Sequence, residues 1–427
     1  MSRSHSYAPA RQQLRSLFDA AVARAYPGSD LADQIPSIGS GRVVVAGAGK
    51  AGATMAQIVE QSLEHIDEGL VIVPYGHIRA CSQITIIEAG HPVPDALGLQ
   101  SAQHILRLAL SLEENDTLIC LLSGGGSALL NLPMEGITLE EKRAVTKGLL
   151  SCGATIHEIN TVRKHLSQIK GGRLAQAAYP ARTITLAISD VPGNDPSTIA
   201  SGPTAGDTTT QADAINILRR YGLHVPDAVN AILASDRYES PAPGDEALSR
   251  TQYVITATAA QALDTAAKGA AGQGFEVINL GDEVEGLAHK VAQDHAELFE
   301  SLSRSEPALA PLLLSGGELT VRVQGSGRGG PNLEYLLALA IALDGRPDTF
   351  AIACDTDGID GATRAAGAII TPDTLDRAKG LGLDAHAFLA NNDAGAFFEH
   401  LDDLIVTGPT CTNVNDFRVI AYIPSSD

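Results

Sequence analysis

The feature that most constrains the fold of this chain is a recurring unit, a short aliphatic run followed by a glycine-rich turn and a helical stretch. The run at residues 42–46 (RVVVA) leads into GAGKAG at 47–52, and the run at 117–122 (TLICLL) leads into SGGGS at 123–127. Aliphatic runs bounded by glycine predict buried strands, and their alternation with helices predicts a parallel sheet covered on both faces. We therefore predict an α/β fold.

The same alternation returns in the second half of the chain. Strands are predicted at residues 253–257, 276–280, 312–315, 319–323, 349–354 and 417–423. The segment 239–249 (ESPAPGDEALS) is rich in Pro, Gly and acidic residues, which is typical of a linker. A length of 427 residues fits two or three domains. We predict two, at residues 1–240 and 250–427.

Positive charge is scarce, with 30 Lys and Arg against 50 Asp and Glu and a formal net charge of -20. Such a chain is a poor candidate for binding nucleic acid or an anionic membrane. Its longest apolar run, residues 335–343, is shorter than the ~20 residues of a membrane span. The first 25 residues lack the apolar core of a secretory signal. We expect a cytoplasmic protein with reduced cysteines and small-molecule partners, and a homodimer stays one open alternative for its oligomeric state.

The turn GAGKAG at 47–52 has the G-x-G-x-x-G spacing after a strand and at a helix start, where free backbone N–H groups favour an anion. A dinucleotide site also needs an acidic residue about 20 positions further on. The second strand instead ends in residues 73–76 (VPYG), without a carboxylate. We predict that Gly49 and Lys50 bind a phosphate-like anion. A tight turn with a solvated Lys50 is the alternative.

The turn at residues 123–127 offers consecutive amides that can surround an anion, together with two hydroxyl groups. It does not match the G-x-S-x-G nucleophile elbow. Its residues are therefore predicted to bind substrate or phosphate: Ser123, Gly124, Gly125, Gly126 and Ser127. His91, in the rigid loop GHPVPD at 90–95, is predicted to contact substrate, with a structural turn as the alternative.

The most basic stretch of this acidic chain is residues 160–173. Arg163 and Lys170 are seven positions apart within it, which places them on one face of a helix. That face could neutralise a phosphate or a carboxylate. A solvated charged stripe is the alternative.

Two glycine-containing loops that follow predicted strands carry clustered carboxylates. Asp190 and Asp195 lie in SDVPGND at 189–195, and Asp355 and Asp357 lie in DTDGIDG at 355–361. Carboxylate oxygens in this setting suit Mg²⁺ that arrives with a nucleotide. Local turns capped by Asp side chains are the alternative.

A further glycine-rich loop, GSGRGGPN at 325–332, precedes an apolar helix, and Pro331 fits the first turn of that helix. The loop would let backbone approach a ligand, and Arg328 would add a donor for an anion. We predict cofactor contacts for this loop and for the LSGG turn at residues 314–317. The residues concerned are Gly316, Gly325, Gly327, Gly329 and Asn332. A flexible surface loop is the alternative.

Taken in order along the chain, eight segments resemble the glycerate 2-kinases whose C-terminal portion is called the MOFRL domain. They are GAGKAG (47–52), GHPVPD (90–95), LSGGGSALL (122–130), INTVRKHLSQIKGGRLA (159–175), SDVPGNDPSTIASGPT (189–204), LSGGE (314–318), GRGGPNLE (327–334) and DTDGIDG (355–361). The resemblance extends over nearly the whole chain, from about residue 14 to residue 422.

The resemblance implies ATP-dependent phosphorylation of the C2 hydroxyl of D-glycerate with a divalent cation, taken here as Mg²⁺. It also implies a Rossmann-like, three-layer N-terminal domain, a second α/β domain of MOFRL type, and an active site in the cleft between them. The family's catalytic Lys corresponds to Lys50. Its Arg in a GGRNQE string is replaced here by Pro331, so Arg328 is the candidate for that charge.

Within this resemblance Asp190 is the candidate to accept the hydroxyl proton or to hold the metal, with Asp195, Asp355 and Asp357 as further metal candidates. Some similar members are labelled hydroxypyruvate reductase. The missing ribose-binding acid and the lack of a clear hydride-transfer set speak against that activity. A nucleotide-binding or sugar-acid-binding regulator without turnover is a third hypothesis.

Overall fold

The computed structural model describes residues 7–305 and 310–424, which fall into two units. Unit I is Pro27–Thr256. Unit II begins at Ala257 and includes the described residues up to Tyr26. Its first element is α1 (Ala8–Ala25).

Unit I alternates strands and helices as predicted. Its elements are α2 (Ser29–Asp33), β1 (Val43–Ala48), α3 (Gly52–Ser62), β2 (Glu68–Pro74), β3 (Thr85–Ala89), α4 (Ala96–Leu110), β4 (Thr117–Leu122), α5 (Gly126–Leu129), α6 (Leu139–Ser151), α7 (Ile156–His165), α8 (Arg173–Ala178), β5 (Arg182–Ser189), α9 (Gln211–Arg220), α10 (Asp227–Leu233) and β6 (Thr251–Thr258).

The sheet of unit I has the strand order β3-β2-β1-β4-β5-β6, and strands β1 to β5 pair in parallel. This is the Rossmann strand order, which reverses direction between β1 and β4. Both of these strands are buried along their whole length, which explains their unbroken aliphatic sequences. The turns after β1 and β4 therefore lie at the switch point, where open α/β sheets bind ligands.

Two predictions about domain organisation need correction. Residues 253–257, predicted to open the second series, belong to β6 at the edge of the first sheet. The predicted linker 239–249 packs on unit I, where Ser240 is buried and accepts a hydrogen bond of 2.5 Å from Arg173 Nη1. The structural division at Thr256, and the placement of α1 with unit II, differ from the predicted boundaries at 240 and 250.

Unit II continues after β6. Its elements are α11 (Ala259–Gly272), β7 (Glu276–Asn279), β8 (Gly286–Leu287), α12 (Ala288–Ser305), β9 (Pro311–Ser315), β10 (Leu319–Thr320), α13 (Pro331–Leu343), β11 (Thr349–Asp355), β12 (Gly367–Ile370), α14 (Thr374–Gly380), α15 (Ala385–Ala390), α16 (Ala394–Leu401), β13 (Leu404–Ile405) and β14 (Asp416–Tyr422).

The sheet of unit II has the order β13-β12-β11-β14-β9-β7 and is mixed, because only the β7–β9 pair is parallel. Helix α13 is apolar around most of its circumference and is almost entirely buried, as expected of a core helix. The strand predicted at 319–323 shortens to β10, which pairs with β8. Among the described helices, none combines the length and hydropathy that a membrane span requires.

Candidate anion-binding site

The turns after β1 and β4 are joined by hydrogen bonds at the switch point. Lys50 N donates to the carbonyl oxygen of Gly124 across 2.8 Å, and Ser123 N donates to that of Ala48 across 3.2 Å. Ser123 Oγ accepts from Ala51 N at 3.0 Å. The two glycine-rich motifs therefore form one structure.

This arrangement corrects the role predicted for the amides of GAGKAG. The amide of Gly49 donates to the carbonyl oxygen of Ile72, and that of Gly52 donates to the carbonyl oxygen of Gly49. The amides of Lys50 and Ala51 also donate to protein acceptors. No amide of residues 49–52 is therefore left to hold an anion. Glycine is needed at 49 because φ is +138° and a Cβ there would lie 2.1 Å from Ser123 Oγ. The turn presents the half-buried side chain of Lys50 instead.

Available amides lie in the second turn. Within residues 7–305 and 310–424, the backbone N–H groups of Gly124, Gly125 and Ser127 donate to no protein acceptor. Gly125 has a φ of +82° and is the N-cap residue that precedes α5. Successive amides in such a turn form a concave surface that suits an anion.

His91 lies against this turn. A Cβ on Gly125 would lie 2.9 Å from His91 Nε2. The imidazole thus packs directly on the Gly125 backbone, and only glycine leaves room for it.

Arg163 and Lys170, which belong to the same basic stretch, converge on Ser127, although α7 ends at His165 and the two cations do not share one helix face as predicted. Arg163 Nη2 donates to Ser127 Oγ at 3.0 Å, and Lys170 Nζ donates to the carbonyl oxygen of Ser127 at 2.7 Å. Lys170 is fully buried. Burial lowers the pKa of Lys170 well below its ordinary value, and the nearby positive charges of Arg163 and Lys142 lower it further. The basic stretch is therefore an inward-facing cation group and no solvated stripe.

Sequence reasoning missed Ala200 and Ser201 as parts of this site. Their φ angles are +51° and +63°, in the left-handed region that residues other than glycine rarely adopt. Ser201 Oγ lies 2.7 Å from Ser127 Oγ, and a Cβ on Gly126 would lie 2.9 Å from the Ala200 Cβ. Such strained backbone concentrates at ligand sites. The only sequence signal was their place in the family-like segment 189–204.

The carboxylates predicted to hold a metal in unit I differ in their surroundings. Asp190 directly follows β5 and is half-buried. Asp195 accepts hydrogen bonds from Ser197 N at 2.9 Å and from Ser197 Oγ at 2.7 Å. Although burial raises its pKa, these bonds outweigh that effect and the pKa lies below the usual value. Asp195 therefore caps its own loop, as the turn alternative anticipated.

In unit II, Asp355 and Asp357 also support their own loop. Asp355 Oδ1 accepts from Asp357 N at 2.9 Å, and Asp357 Oδ1 accepts from Ile359 N at 2.7 Å. The described part of the chain contains no group of three or more His, Cys, Asp or Glu side chains that could hold a metal ion. A metal bound by protein groups alone is therefore not supported.

The glycine-rich loop 325–330 contacts protein where the sequence predicted a ligand. Gly325 N donates to Asn392 Oδ1 at 2.9 Å, and Gly327 N donates to the carbonyl oxygen of Asn391 at 3.0 Å. A Cβ on Gly327 would lie 2.3 Å from the Asp393 Cβ, and one on Gly329 would lie 3.4 Å from the carbonyl oxygen of Asn392. These glycines therefore allow close packing on the 391–393 turn.

Arg328 projects from this loop with a side chain that is 71% exposed. Its Nη2 lies 3.5 Å from Glu399 Oε2, which is also exposed. A surface ion pair of this kind contributes little to stability. Arg328 is therefore accessible to a ligand.

Gly316 and Asn332 lie in a buried polar network of unit II and not at its surface. Asn332 Nδ2 donates to Asp416 Oδ1 at 2.7 Å, and Asn332 N donates to Asp360 Oδ1 at 3.0 Å. Arg418 donates to Asp416 and to the carbonyl oxygen of Gly316. The structure thus gives both residues a supporting role, which corrects the expectation of direct cofactor contact.

A Rossmann-type sheet with a glycine-rich turn and buried cations at its switch point defines a class of α/β proteins that bind small anionic ligands. Two family descriptions match this chain: "Domain of unknown function (DUF4147)" over residues 13–234 and "MOFRL family" over residues 311–416.

Relatives match nearly the whole chain. A "Putative hydroxypyruvate reductase" of Agrobacterium vitis is 47% identical over 416 residues, which cover 96% of this chain and 94% of the relative. A "D-glycerate 2-kinase" of Thermotoga maritima is 37% identical over 398 residues, covering 92% and 94% respectively. The crystal structure of a glycerate kinase from Thermotoga maritima has a TM-score of 0.87 at 36% identity and covers 97% of this chain and 99% of that one. The chain belongs to the MOFRL-containing glycerate 2-kinase family, which confirms the resemblance and the MOFRL-type second domain.

Proposed function

We propose that this chain is an ATP-dependent D-glycerate 2-kinase. The observation that carries the proposal is the convergence of Arg163 and Lys170 on Ser127, in a chain whose formal net charge is -20. Positive groups placed at a Rossmann switch point suit a substrate that carries a carboxylate and receives a phosphoryl group. The glycerate kinase names of relatives that match over nearly their full length support the same activity.

In the proposed reaction the C2 oxygen of D-glycerate forms a bond to the γ-phosphorus of ATP, and the bond from that phosphorus to the β,γ-bridging oxygen breaks. The products are 2-phosphoglycerate and ADP. Asp190 accepts the proton that leaves the C2 hydroxyl. Lys50 and the amides of Gly124, Gly125 and Ser127 stabilise the negative charge on the phosphoryl oxygens.

Arg328 and the 325–330 loop are the proposed contribution of unit II, with Arg328 neutralising charge in the transition state. The backbone of this loop already bonds to the 391–393 turn. The Arg328 side chain, which is largely exposed, is therefore the group of the loop that is accessible to a ligand.

Mg²⁺ bound to the triphosphate would supply charge neutralisation at the phosphate oxygens. A nucleotide-borne Mg²⁺ needs only one or two protein carboxylates, so the lack of a three-ligand group among the described residues is compatible with it. Asp190 is the residue that we propose to hold it, and Asp355 and Asp357 are the further candidates. Asp195 is less suitable, because its oxygens are committed to Ser197 and Thr198.

A hydroxypyruvate reductase is the second candidate, favoured by the name of the Agrobacterium vitis relative. The amides of the first turn speak against it. A Rossmann dinucleotide site uses free N–H groups at this turn to bind the pyrophosphate, whereas those of Gly49, Lys50 and Ala51 donate to protein acceptors. Strand β2 also ends at Pro74 without a carboxylate to hold a ribose.

A cytoplasmic location is part of the proposal. All five cysteines are free thiols, which supports a reducing compartment.

Two assays on the same preparation separate the candidates. One measures ADP release from ATP, Mg²⁺ and D-glycerate, and the other measures NADH or NADPH oxidation with hydroxypyruvate. The proposal requires activity in the first assay. Activity in the second assay alone would establish the reductase, and nucleotide binding without either activity would favour a regulator.

A further inference from the structure

A cavity in unit I carries a buried cation, Lys142, to which the proposed phosphoryl transfer gives no role. Its volume is about 470 Å³, and it is lined by residues of the 92–94 loop, by α6 and by Arg163. Lys142 and Asn131 are the polar residues in its wall that matter here. Because Arg163 also bonds to Ser127, the cavity adjoins the candidate anion-binding site.

Lys142 is buried without an electrostatic partner. Its relative exposure is 3%, and its Nζ has no hydrogen-bond partner among the residues that the structure describes. The residues that line the cavity include no Asp or Glu. A buried ammonium group that lacks both an acceptor and an opposite charge costs several kcal/mol, so its presence calls for an explanation.

The electrostatics agree with a cavity prepared for an anion. Burial lowers the pKa of Lys142 well below its ordinary value, and the positive charges of Arg163 and Arg173 lower it further. Burial also lowers the pKa of Arg163. A negatively charged ligand would relieve this repulsion.

Asn131 adds a second unsatisfied group. It is 7% exposed, and its Oδ1 has no donor within the described part of the chain. A buried acceptor without a donor costs about 1–3 kcal/mol. A hydroxyl group can satisfy the amide whichever way it is oriented, because a hydroxyl both donates and accepts.

We propose that this cavity binds a small hydroxy acid, with its carboxylate on Lys142 and Arg163 and a hydroxyl on Asn131. One ligand then satisfies both groups that the protein leaves unpaired. The identification of that acid as D-glycerate rests on the proposed function. The charge and hydrogen-bonding class of the ligand follows from the cavity alone.

Calorimetric titration of the full chain without nucleotide tests this proposal. The probes are D-glycerate, propionate (a carboxylate without a hydroxyl), glycerol (hydroxyls without a carboxylate) and inorganic phosphate. The variants are Lys142→Met, which removes the charge at similar volume, and Asn131→Asp, which places a carboxylate in the wall. Lys379→Met is the matched control, because it removes an exposed lysine of α14 in unit II.

We expect D-glycerate to bind more tightly than propionate, and glycerol and phosphate to bind weakly. Lys142→Met should weaken D-glycerate binding about 30-fold or more, and Asn131→Asp should also weaken it. Both should keep the circular dichroism spectrum, and Lys142→Met should raise the ligand-free Tm because it removes an unpaired buried charge. Lys379→Met should bind normally.

Unchanged D-glycerate affinity in Lys142→Met would overturn the proposal, as would the absence of binding to the unmodified chain. Tighter binding of phosphate than of D-glycerate would overturn the carboxylate assignment. The kinase assay shows whether the cavity assignment or the proposed kinase function has failed. Binding without phosphorylation would leave the cavity assignment standing, and phosphorylation with an unchanged KM in Lys142→Met would leave only the kinase standing.

Discussion

Lys170 Nζ donates a hydrogen bond of 2.7 Å to the carbonyl oxygen of Ser127, 43 positions earlier in the sequence. This bond places a fully buried positive charge behind the turn that follows β4. Charges in a dry environment act more strongly on a ligand than charges in water do. The pair therefore explains how an acidic chain can bind an acidic substrate.

Lys50→Ala should lower kcat for D-glycerate phosphorylation about 100-fold or more, because one donor to developing charge is typically worth that much. The fold should be retained, because the hydrogen bond from the Lys50 backbone amide to Gly124 does not depend on the side chain. Steady-state kinetics and a thermal melt check both points, with Lys379→Ala as the control for loss of a lysine. Near-normal kcat would remove Lys50 from the mechanism.

Gly125→Ala should lower kcat/KM at least about tenfold, because the new Cβ would lie 2.9 Å from His91 Nε2 and displace the imidazole. Gly153→Ala is the matched control. Its φ of +74° resembles the +82° of Gly125, but a Cβ there meets nothing within 4 Å. Both changes carry a similar backbone cost of about 1 kcal/mol, so equal activity in the two variants would show that the His91 contact is unimportant.

The sequence predicted the Rossmann-like sheet and both switch-point turns because these depend on local patterns. Strand β4 matches its predicted range, and the glycines at 49 and 125 occupy backbone conformations that other residues avoid. The use of the amides could not be predicted in this way. The amide of Lys50 is occupied because it donates to the carbonyl oxygen of Gly124, a residue of the turn after another strand, β4.

Arg328→Gln should lower kcat while leaving the Tm nearly unchanged, because its exposed pair with Glu399 contributes about 0–1 kcal/mol. Glu399→Gln is the control, since it breaks the same pair and keeps the arginine. Kinetics of the two variants should therefore differ, with a loss of at least about tenfold only in Arg328→Gln. If the Arg328→Gln variant has normal kcat, then another residue supplies the positive charge of the family arginine that Pro331 replaces.

His295→Asn should flatten the dependence of stability on pH. Burial, and secondarily the charge of Arg418, lowers the pKa of His295 from 6.5 to about 4, and its Nδ1 lies 2.9 Å from the Tyr335 hydroxyl oxygen. Because the folded protein disfavours protonated His295, the free energy of unfolding keeps its full value above pH 6.5 and decreases as the pH falls towards 4. The decrease due to His295 is roughly 3 kcal/mol.

Urea denaturation from pH 4 to pH 7 measures this contribution. The exposed His386→Asn is the control and should follow the unmodified chain. A variant at 295 that loses stability on acidification as steeply as the unmodified chain would contradict the assignment.

Lys142 shows the limit of sequence reasoning at the site. In residues 139–151 it lies among Glu, Arg and Lys, a composition typical of a solvated helix face, yet it is buried. Its environment is set by the packing of α6 against elements that no local pattern identifies. The same holds for Asn332, which looks like a loop residue but lies in the core of unit II.

Phosphorus NMR of the product formed from ATP, Mg²⁺ and D-glycerate determines directly whether this chain phosphorylates the C2 hydroxyl. We expect a new phosphomonoester whose phosphorus couples to the single C2 proton, as in 2-phosphoglycerate, with ADP formed in equal amount. A phosphorus coupled to the two C3 protons, or no phosphorylated product from an active preparation, would contradict it.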